Sequence, residues 1–206
     1  MPFVKRNPGA AAADKKPDSL ASHFTDLGSP DEEGRWRAAR ALGGKVEAVS
    51  ALAGALARER VPRVREAIMT ALMRVGDDAS ILTLLPYLCS QDAGERGAAI
   101  EALQALPEAI APFLPKLFAD SDSDVRILAT ELARNLPAEE ATRVLCALIQ
   151  NEQHANVCAA AIEVLAEVGT DDAVPALQAC AERFAGTAFV PFAVSITIAR
   201  ISKTES

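Results

Sequence analysis

The sequence predicts an all-α fold, a solenoid of stacked two-helix units, and three observations lead to this prediction. Half of the 206 residues are hydrophobic but only 4% are aromatic, so the core must consist largely of Ala, Leu, Val and Ile, and Ala and Leu are strong helix formers. Apolar residues recur at helical rather than alternate spacing, as Ile68, Ala71, Leu72 and Val75 show. The third observation is an internal repeat along most of the chain.

The repeat is visible when five helical segments are aligned on their last apolar residue. These closing residues are Leu42, Leu72, Leu103, Ala133 and Leu165, at spacings of 30, 31, 30 and 32 residues. A second apolar segment follows each of them and is marked by Leu52, Leu85, Leu114, Leu145 and Leu177. We therefore expect about five repeats, each with two helices of about a dozen residues.

Short turns divide the two helices of each repeat. Gly43 and Gly44 form the first turn, and Gly76 with Asp77 begins the second. Glycine ends a helix in the left-handed conformation, and a carboxylate at the start of the next helix accepts free backbone N–H groups.

Partial repeats are expected at both ends of the array. Residues 19–27 predict the second helix of a leading repeat, and residues 186–201 predict the first helix of an incomplete last one. Residues 19–206 are thus predicted to form one repeat domain. Residues 1–18, which contain three prolines and several charges, are predicted to be a disordered tail.

An aspartate stands four residues before the motif arginine in three repeats, as Asp31 and Arg35, Asp92 and Arg96, and Asp122 and Arg126. With the Val-Arg pairs and the Ala-rich stretches that follow, residues 19–201 resemble the short bacterial HEAT repeats, including those of the phycobilisome bilin lyase type. The resemblance implies an all-α superhelix of HEAT-like repeats with partial capping repeats, in which these Asp–Arg pairs form a structural ladder between neighbours.

Two repeats depart from this pattern. The second repeat has Val61 at the aspartate position, and the fifth has His154 and Cys158 in place of both residues. We therefore expect these two junctions to lack the ladder bond, and to be where the array flexes or binds.

The charge balance opposes binding to nucleic acids and anionic membranes. Residues 19–206 carry 17 basic and 26 acidic side chains, a net charge of −9, which phosphates would repel. The sequence has no apolar stretch of about 18 residues that would span a bilayer. The four cysteines show no CxxC spacing, so we interpret them as buried reduced thiols of a cytoplasmic protein.

Catalytic motifs are absent from the sequence. It contains no HExxH, GxSxG or phosphate-binding loop, and only two histidines, His23 and His154. Cys158 follows His154 by four residues on one helix face, but two ligands from one helix are too few for a closed metal site. We therefore expect a non-enzymatic protein without cofactor or metal.

Two surfaces are candidates for partner binding along the array. Second helices line the concave side of HEAT arrays, and their outward positions vary strongly here: Arg58, Tyr87, Lys116, Arg143 and Gln178. A basic cluster of Arg58, Arg60, Arg63 and Arg65 occupies the junction that lacks its aspartate. This cluster is either solvated surface or a site for an acidic partner segment.

The third candidate is the last helix, residues 189–201, which is apolar almost all round. Either Phe192, Ile196 and Ile198 meet a second copy or another partner protein, or the helix is covered by the array itself. The sequence thus predicts a protein–protein interaction scaffold or adaptor, with a possible homodimer through this end. The alternative, which the lyase-type resemblance implies, is an accessory or chaperone-like subunit of a modifying enzyme.

Overall fold

The computed structural model describes residues 19–202, which form helices joined by short turns, without a strand among them. The predicted tail, residues 1–18, and the last four residues of the predicted repeat domain lie outside the described residues. The all-α prediction is confirmed.

Five helix pairs follow one another between a single helix at each end. The helices are α1 (Leu20–Asp26), α2 (Glu32–Leu42), α3 (Val49–Leu56), α4 (Pro62–Val75), α5 (Asp78–Leu84), α6 (Ala93–Gln104), α7 (Pro107–Ile110), α8 (Leu114–Phe118), α9 (Ser123–Leu132), α10 (Ala138–Asn151), α11 (Ala155–Val168), α12 (Val174–Arg183) and α13 (Phe189–Ile201). Short 3-10 turns precede or extend several of them. The pairs begin with α2, α4, α6, α9 and α11, in agreement with the five predicted repeats.

The helices form two layers. The first helices pack in chain order, α2 on α4, α4 on α6, α6 on α9, α9 on α11 and α11 on α13. The second helices do the same, α3 on α5, α5 on α7, α8 on α10 and α10 on α12. Each pair packs against its neighbours in both layers, and the buried residues form one continuous core.

Local sequence signals place the helix ends. The side chains of Asp31, Asp77, Asp92 and Asp122 each accept a hydrogen bond from a backbone N–H in the first turn of the following helix. Gly76 ends α4 in the left-handed conformation, at φ +67°. Asp77 follows it directly as the N-cap of α5, so this turn has the predicted chemistry.

The residues that close each repeat motif form the centre of the core. Leu42, Leu72, Leu103, Ala133 and Leu165 are all fully buried. Four of the five leucines that mark the second helices are fully buried as well, but Leu85 is only half-buried, and Leu84 and Leu88 fill the core in its place. The thirty-residue period of the sequence is therefore a period of burial.

The second helices of the second and third repeats are shorter than expected. Pro86 stands in a 3-10 turn after α5, and Pro112 and Pro115 divide the third repeat into α7, a 3-10 turn and α8. Proline has no backbone N–H and clashes with the preceding helical turn, so a continuous helix of a dozen residues does not form here. Apolar residues next to these prolines still reach the core, because Ile110 and Leu114 are fully buried.

Candidate protein-binding site

An open groove of about 410 Å³ lies between α8 and α10, in the second-helix layer. We call it the α8–α10 groove. Pro115, Phe118 and Ala119 line it from the α8 side, and Val144, Ala147 and Leu148 line it from α10. These six residues form the apolar floor of the groove. The last three share one face of α10 because they are three and four residues apart.

The α8–α10 groove is apolar along its floor and polar at its end. Val144 and Leu148 are nearly buried, whereas Ala147 is exposed. Asn151 and Gln153 close one end and offer amide groups. Arg143 borders the groove, and its Nη2 donates to Oε1 of Glu140 at 2.7 Å.

Four of the five predicted ridge residues are exposed on the second-helix side: Arg58, Lys116, Arg143 and Gln178. Arg143 lines the α8–α10 groove, and Lys116 adjoins Pro115 of its floor. Tyr87 differs from the expectation, since it is half-buried and packs against the core. The guanidinium of Arg65 lies 5.3 Å from the centroid of the Tyr87 ring.

The predicted basic cluster is divided between two environments. Arg58 and Arg60 are exposed, whereas Arg65 is buried. Arg65 pairs with Glu95 of the next repeat, at 2.9 Å from Nη2 to Oε1, and Nη1 donates to the carbonyl of Glu59 at 2.8 Å. The prediction that Arg65 is available to a partner is therefore wrong, because its guanidinium bonds within the array.

Arg63 of the same cluster is exposed on α4 and contacts α2 of the preceding repeat. Its guanidinium stacks 4.2 Å from the ring centroid of Trp36, and Nη1 donates to Oε2 of Glu33 at 3.0 Å. The cluster is thus not one continuous basic patch.

The predicted ladder has different acidic partners. Within the described residues, no hydrogen bond joins the side chains of Asp31 and Arg35, of Asp92 and Arg96, or of Asp122 and Arg126. The three aspartates cap their own helices instead, Asp31 on the N–H of Gly34 at 2.9 Å, Asp92 on Gly94 at 2.7 Å and Asp122 on Asp124 at 2.9 Å. Each cap accepts an N–H two or three residues later, which would otherwise be unpaired at the helix start.

The motif arginines make one repeated contact, with the carbonyl six residues earlier. Nη1 donates to that oxygen in Arg35 (Ser29, 3.0 Å), Arg65 (Glu59, 2.8 Å), Arg96 (Ser90, 2.6 Å) and Arg126 (Asp120, 2.9 Å). In the fifth repeat the thiol of Cys158 occupies this position, 3.8 Å from the carbonyl of Glu152. Each arginine thereby holds the turn that enters its own repeat.

Glutamates complete the ladder at the two junctions that lack the aspartate. Arg35 donates to Glu59 from Nε to Oε2 at 2.7 Å and from Nη2 to Oε1 at 3.1 Å. Arg126 holds Glu152 in the same way, at 2.7 and 3.2 Å. The expectation that these junctions lack an inter-repeat bond is wrong, because both carry a bidentate ion pair.

Both glutamates are anchored on two sides. Oε1 of Glu59 accepts the N–H groups of Arg60 and Val61, each at 2.9 Å. The hydrogen bond from Arg35 and these two N–H groups lower the pKa of Glu59 to about 2. Burial alone would raise the pKa of Glu152, but its bonds with Arg126 and the backbone lower it overall.

Sequence reasoning did not identify Glu59 and Glu152 as ladder residues, although one signal marks them. Both stand six residues before the motif position, where the other repeats have Ser29, Ser90 and Asp120. At every junction this side chain accepts the backbone N–H two residues later, at 2.7 to 3.1 Å. Only the glutamates are long enough to reach an arginine of the preceding helix pair as well.

The apolar C-terminal helix packs on one side only. Val190, Val194, Thr197 and Ile201 of α13 are buried against α11 and α12. On the other side Phe189, Phe192 and Ile196 are exposed by 46%, 67% and 49%, and we call these three residues the α13 stripe. Ile198 is half-buried and packs on the core, so it does not belong to this stripe.

Metal and thiol chemistry find little support among residues 19–202. No group of three or more His, Cys, Asp or Glu side chains within this range is placed to hold a metal ion. Cys158 and Cys180 are fully buried, but Cys89 is exposed, contrary to the expectation for all four thiols. The hydrogen bond with Cys158, together with the nearby charge of Arg183, lowers the pKa of Cys180 to about 7. Neither of these two buried thiols has access to a substrate.

None of the helices described is long and apolar enough to cross a membrane.

The chain has limited similarity to known proteins of solved structure. No curated protein matches the chain. Among solved structures, the complex of CpcE and CpcF of phycocyanin lyase from Nostoc sp. PCC7120 is 19% identical, with 97% of this chain and 100% of that chain covered and a TM-score of 0.44. A designed armadillo repeat protein is also 19% identical, with 89% and 100% covered and a TM-score of 0.40.

The family comparison covers most of the chain. A sequence model described as HEAT repeats matches residues 21–104 and 110–184. Apart from most of α7, these ranges contain the five helix pairs described above, so the family expected from the Val-Arg and Ala-rich motifs is confirmed. The chain belongs to the HEAT repeat family.

Proposed function

We propose that this protein is a non-enzymatic scaffold or adaptor that binds a partner protein through the second-helix layer, in the α8–α10 groove. HEAT repeats are a fold suited to protein interaction. The observation that carries the proposal is the open apolar floor between α8 and α10, bordered by polar and charged groups. Apolar clefts with a few placed polar groups are typical binding sites.

The groove offers a partner three kinds of contact. The half-buried ring of Phe118 provides an aromatic surface, and the small side chains of Ala119 and Ala147 let a bound backbone approach closely. Asn151 and Gln153 provide hydrogen-bonding amides at one end. An amphipathic partner segment would bury its apolar side on this floor.

The other ridge residues support a longer contact along the same layer. Lys116 and Gln178 are exposed on the second helices α8 and α12, and Arg58 is exposed in the turn after α3. We propose that they contribute to partner choice at the rim, where charges affect specificity more than affinity. Tyr87, half-buried and in contact with Arg65, is less accessible to a partner than these three residues.

The test is a quantitative capture experiment with two matched variants. Ala147→Glu places a carboxylate on the apolar floor, whereas Ala79→Glu places one at an exposed position in the first turn of α5, outside the groove. We expect partners retained by the parent chain and by Ala79→Glu to be lost from Ala147→Glu. Equal retention by both variants would reject this groove. If the retained partner is an enzyme subunit, the accessory-subunit alternative replaces the plain scaffold.

The α13 stripe supports a second contact in the same proposal. Three large apolar side chains are exposed on one helix face at the end of the array, and exposed apolar patches usually mark interfaces. We propose that a second copy or a partner protein covers Phe189, Phe192 and Ile196.

A further inference from the structure

A second groove, of about 540 Å³, lies between α2 and α4 in the first-helix layer. We call it the Trp36 groove. Trp36 and Arg40 line it from α2, and Arg63, Glu66, Met73 and Arg74 are among the residues that line it from α4. The groove therefore combines three arginines and an indole ring with one carboxylate, and it is built by the layer opposite to that of the α8–α10 groove.

The ring of Trp36 orders two of these arginines. The Arg63 guanidinium lies 4.2 Å and that of Arg40 4.6 Å from the ring centroid. Stacking of a planar guanidinium on an indole occupies the face of the guanidinium and leaves its N–H edge available. The stack thus reduces the side-chain freedom that each arginine would lose when it binds an anion.

Two arginines of the groove have no carboxylate partner among residues 19–202. Arg63 already bonds to Glu33, whereas the ion pairs of the described chain include neither Arg40 nor Arg74. The Arg74 side chain runs past Gly43 at the end of α2, where a Cβ on that glycine would meet its Cδ at 3.1 Å. The guanidinium groups of Arg40 and Arg74, one on each helix that forms the groove, are therefore available to bind a carboxylate from outside the chain.

The charge around the groove is local. From the start of α2 to the end of α4, residues 32–75 contain nine basic and five acidic side chains, a net charge of +4. Residues 76–202 contain seven basic and eighteen acidic side chains, a net charge of −11. A long polyanion such as a nucleic acid would extend from the basic region over the acidic one and be repelled there. A short anionic segment would not.

We propose that the Trp36 groove binds a short acidic segment of a partner protein. Carboxylates of the segment accept bidentate hydrogen bonds from the N–H edges of Arg40 and Arg74. Apolar parts of the segment contact Trp36 and Met73. Glu66, the single carboxylate in the lining, disfavours segments with a carboxylate beside it. The proposal extends the protein-binding role to a second surface, with a test that does not involve the α8–α10 groove.

The single tryptophan of the chain provides a direct probe, because it lies in the groove itself. The experiment titrates the full chain with a short peptide of alternating Glu and Gly, and with a Gln–Gly peptide of equal length, at low salt. We expect the Glu peptide to change the fluorescence of Trp36 saturably and the Gln peptide to leave it unchanged. Added salt should weaken the binding. Equal responses to both peptides, or none to either, would overturn the proposal.

Variants locate the binding. Arg40→Gln and Arg74→Gln should each weaken the Glu peptide about tenfold, since each removes a charge-assisted pair. Arg37→Gln, at an exposed arginine of α2 that does not line the Trp36 groove, is the matched control and should bind as the parent does. Both groove arginines are surface residues, and unchanged circular dichroism of each variant shows that the fold is intact. Binding that is lost equally in Arg37→Gln would assign the effect to overall charge and contradict the proposal.

Two further measurements distinguish other occupants. Single-stranded DNA of comparable charge should bind more weakly than the Glu peptide, and tighter binding of the DNA would overturn the choice of a protein segment. Sedimentation of the chain alone tests whether the acidic repeats of a second copy fill the groove. Self-association that Arg40→Gln abolishes would replace the partner segment by a second copy.

Discussion

The guanidinium of Arg35 in α2 donates two hydrogen bonds, of 2.7 and 3.1 Å, to the carboxylate of Glu59 in the turn that begins the next repeat. The same carboxylate accepts two backbone N–H groups of its own turn. One ion pair therefore joins the first helix of one repeat to the turn that begins the next. Arg126 and Glu152 repeat this arrangement three repeats later.

The unequal ladder predicts unequal effects of arginine removal. Arg126→Ala leaves the carboxylate of Glu152 nearly buried without its partner and should lower the free energy of unfolding by about 3 kcal/mol. Arg96→Ala removes one bond to the carbonyl of Ser90 and should cost about 1 kcal/mol. The exposed Arg37, paired with Glu33, should change stability by less than about 0.5 kcal/mol on replacement by Ala. Urea denaturation followed by circular dichroism ranks the three, and equal midpoints would contradict the ladder.

The Glu59 pair predicts a pH-dependent stability. The pKa of Glu59 is lowered to about 2, from 4.5 for the free side chain. The folded state therefore gains stability from the ionised form above pH 4.5 and loses it as the pH falls from 4.5 toward 2.

The variant Glu59→Gln tests this window. Its free energy of unfolding should be about 2–3 kcal/mol lower than that of the parent at pH 7. This difference should decrease as the pH approaches 2. Urea midpoints of both chains at a series of pH values give the difference. Glu47→Gln, at an exposed position before α3, serves as the control. A difference that does not vary with pH would show that the ion pair is not its source.

Two glycines predict opposite effects of the same substitution. Gly76 has a φ of +67°, and a Cβ there would lie 3.1 Å from Leu106, so Gly76→Ala should destabilise the protein by about 1–2 kcal/mol. Gly97 is in the interior of α6, where a Cβ meets nothing within 4 Å. Gly97→Ala should stabilise the protein by about 0.5–1 kcal/mol. Thermal melting temperatures should therefore move in opposite directions, and a shift of both in one direction would refute this account.

Substitutions at two positions of α13 should have different effects, one on association and the other on folding. Phe192 is 67% exposed, so Phe192→Glu should leave the fold intact and prevent association through this end. Ile198 packs on the core, so Ile198→Glu should destabilise the fold itself. Light scattering and circular dichroism of the parent and both variants provide the measurement. A parent chain that stays monomeric at high concentration would remove the homodimer from the proposed function.

The repeats could be predicted from the sequence because burial along a helix is a local pattern. Leu42, Leu72 and Leu103 recur at a nearly constant interval, and each is fully buried. The helix breaks at Pro86 and Pro112 are not predicted from apolar periodicity, because the apolar pattern continues across these prolines. The α-helical backbone is interrupted there by 3-10 turns. The apolar character of α13 was predictable too, but only packing shows that Ile198 faces inward and Ile196 outward.

The partners of the charged side chains are harder to predict from the sequence than the repeats are. A spacing of four residues between Asp31 and Arg35 is compatible with an ion pair and with a helix cap, and the cap is what forms. Arg63 was grouped with Arg65 by proximity in the chain, yet a helix places neighbours two residues apart on different faces. One is exposed beside Trp36, and the other is buried beneath the next repeat.

The sequence by itself determined the number and order of the repeats, the repeat length and the closing residues of the core. These depend on apolar periodicity, caps and turn residues that lie within a few positions of one another. Only the tertiary structure decided which charged groups meet, since Arg35 and Glu59 are 24 residues apart and Arg126 and Glu152 are 26 apart. Their pairing depends on how one repeat is placed on the next, and that placement is set by the packing of the whole core.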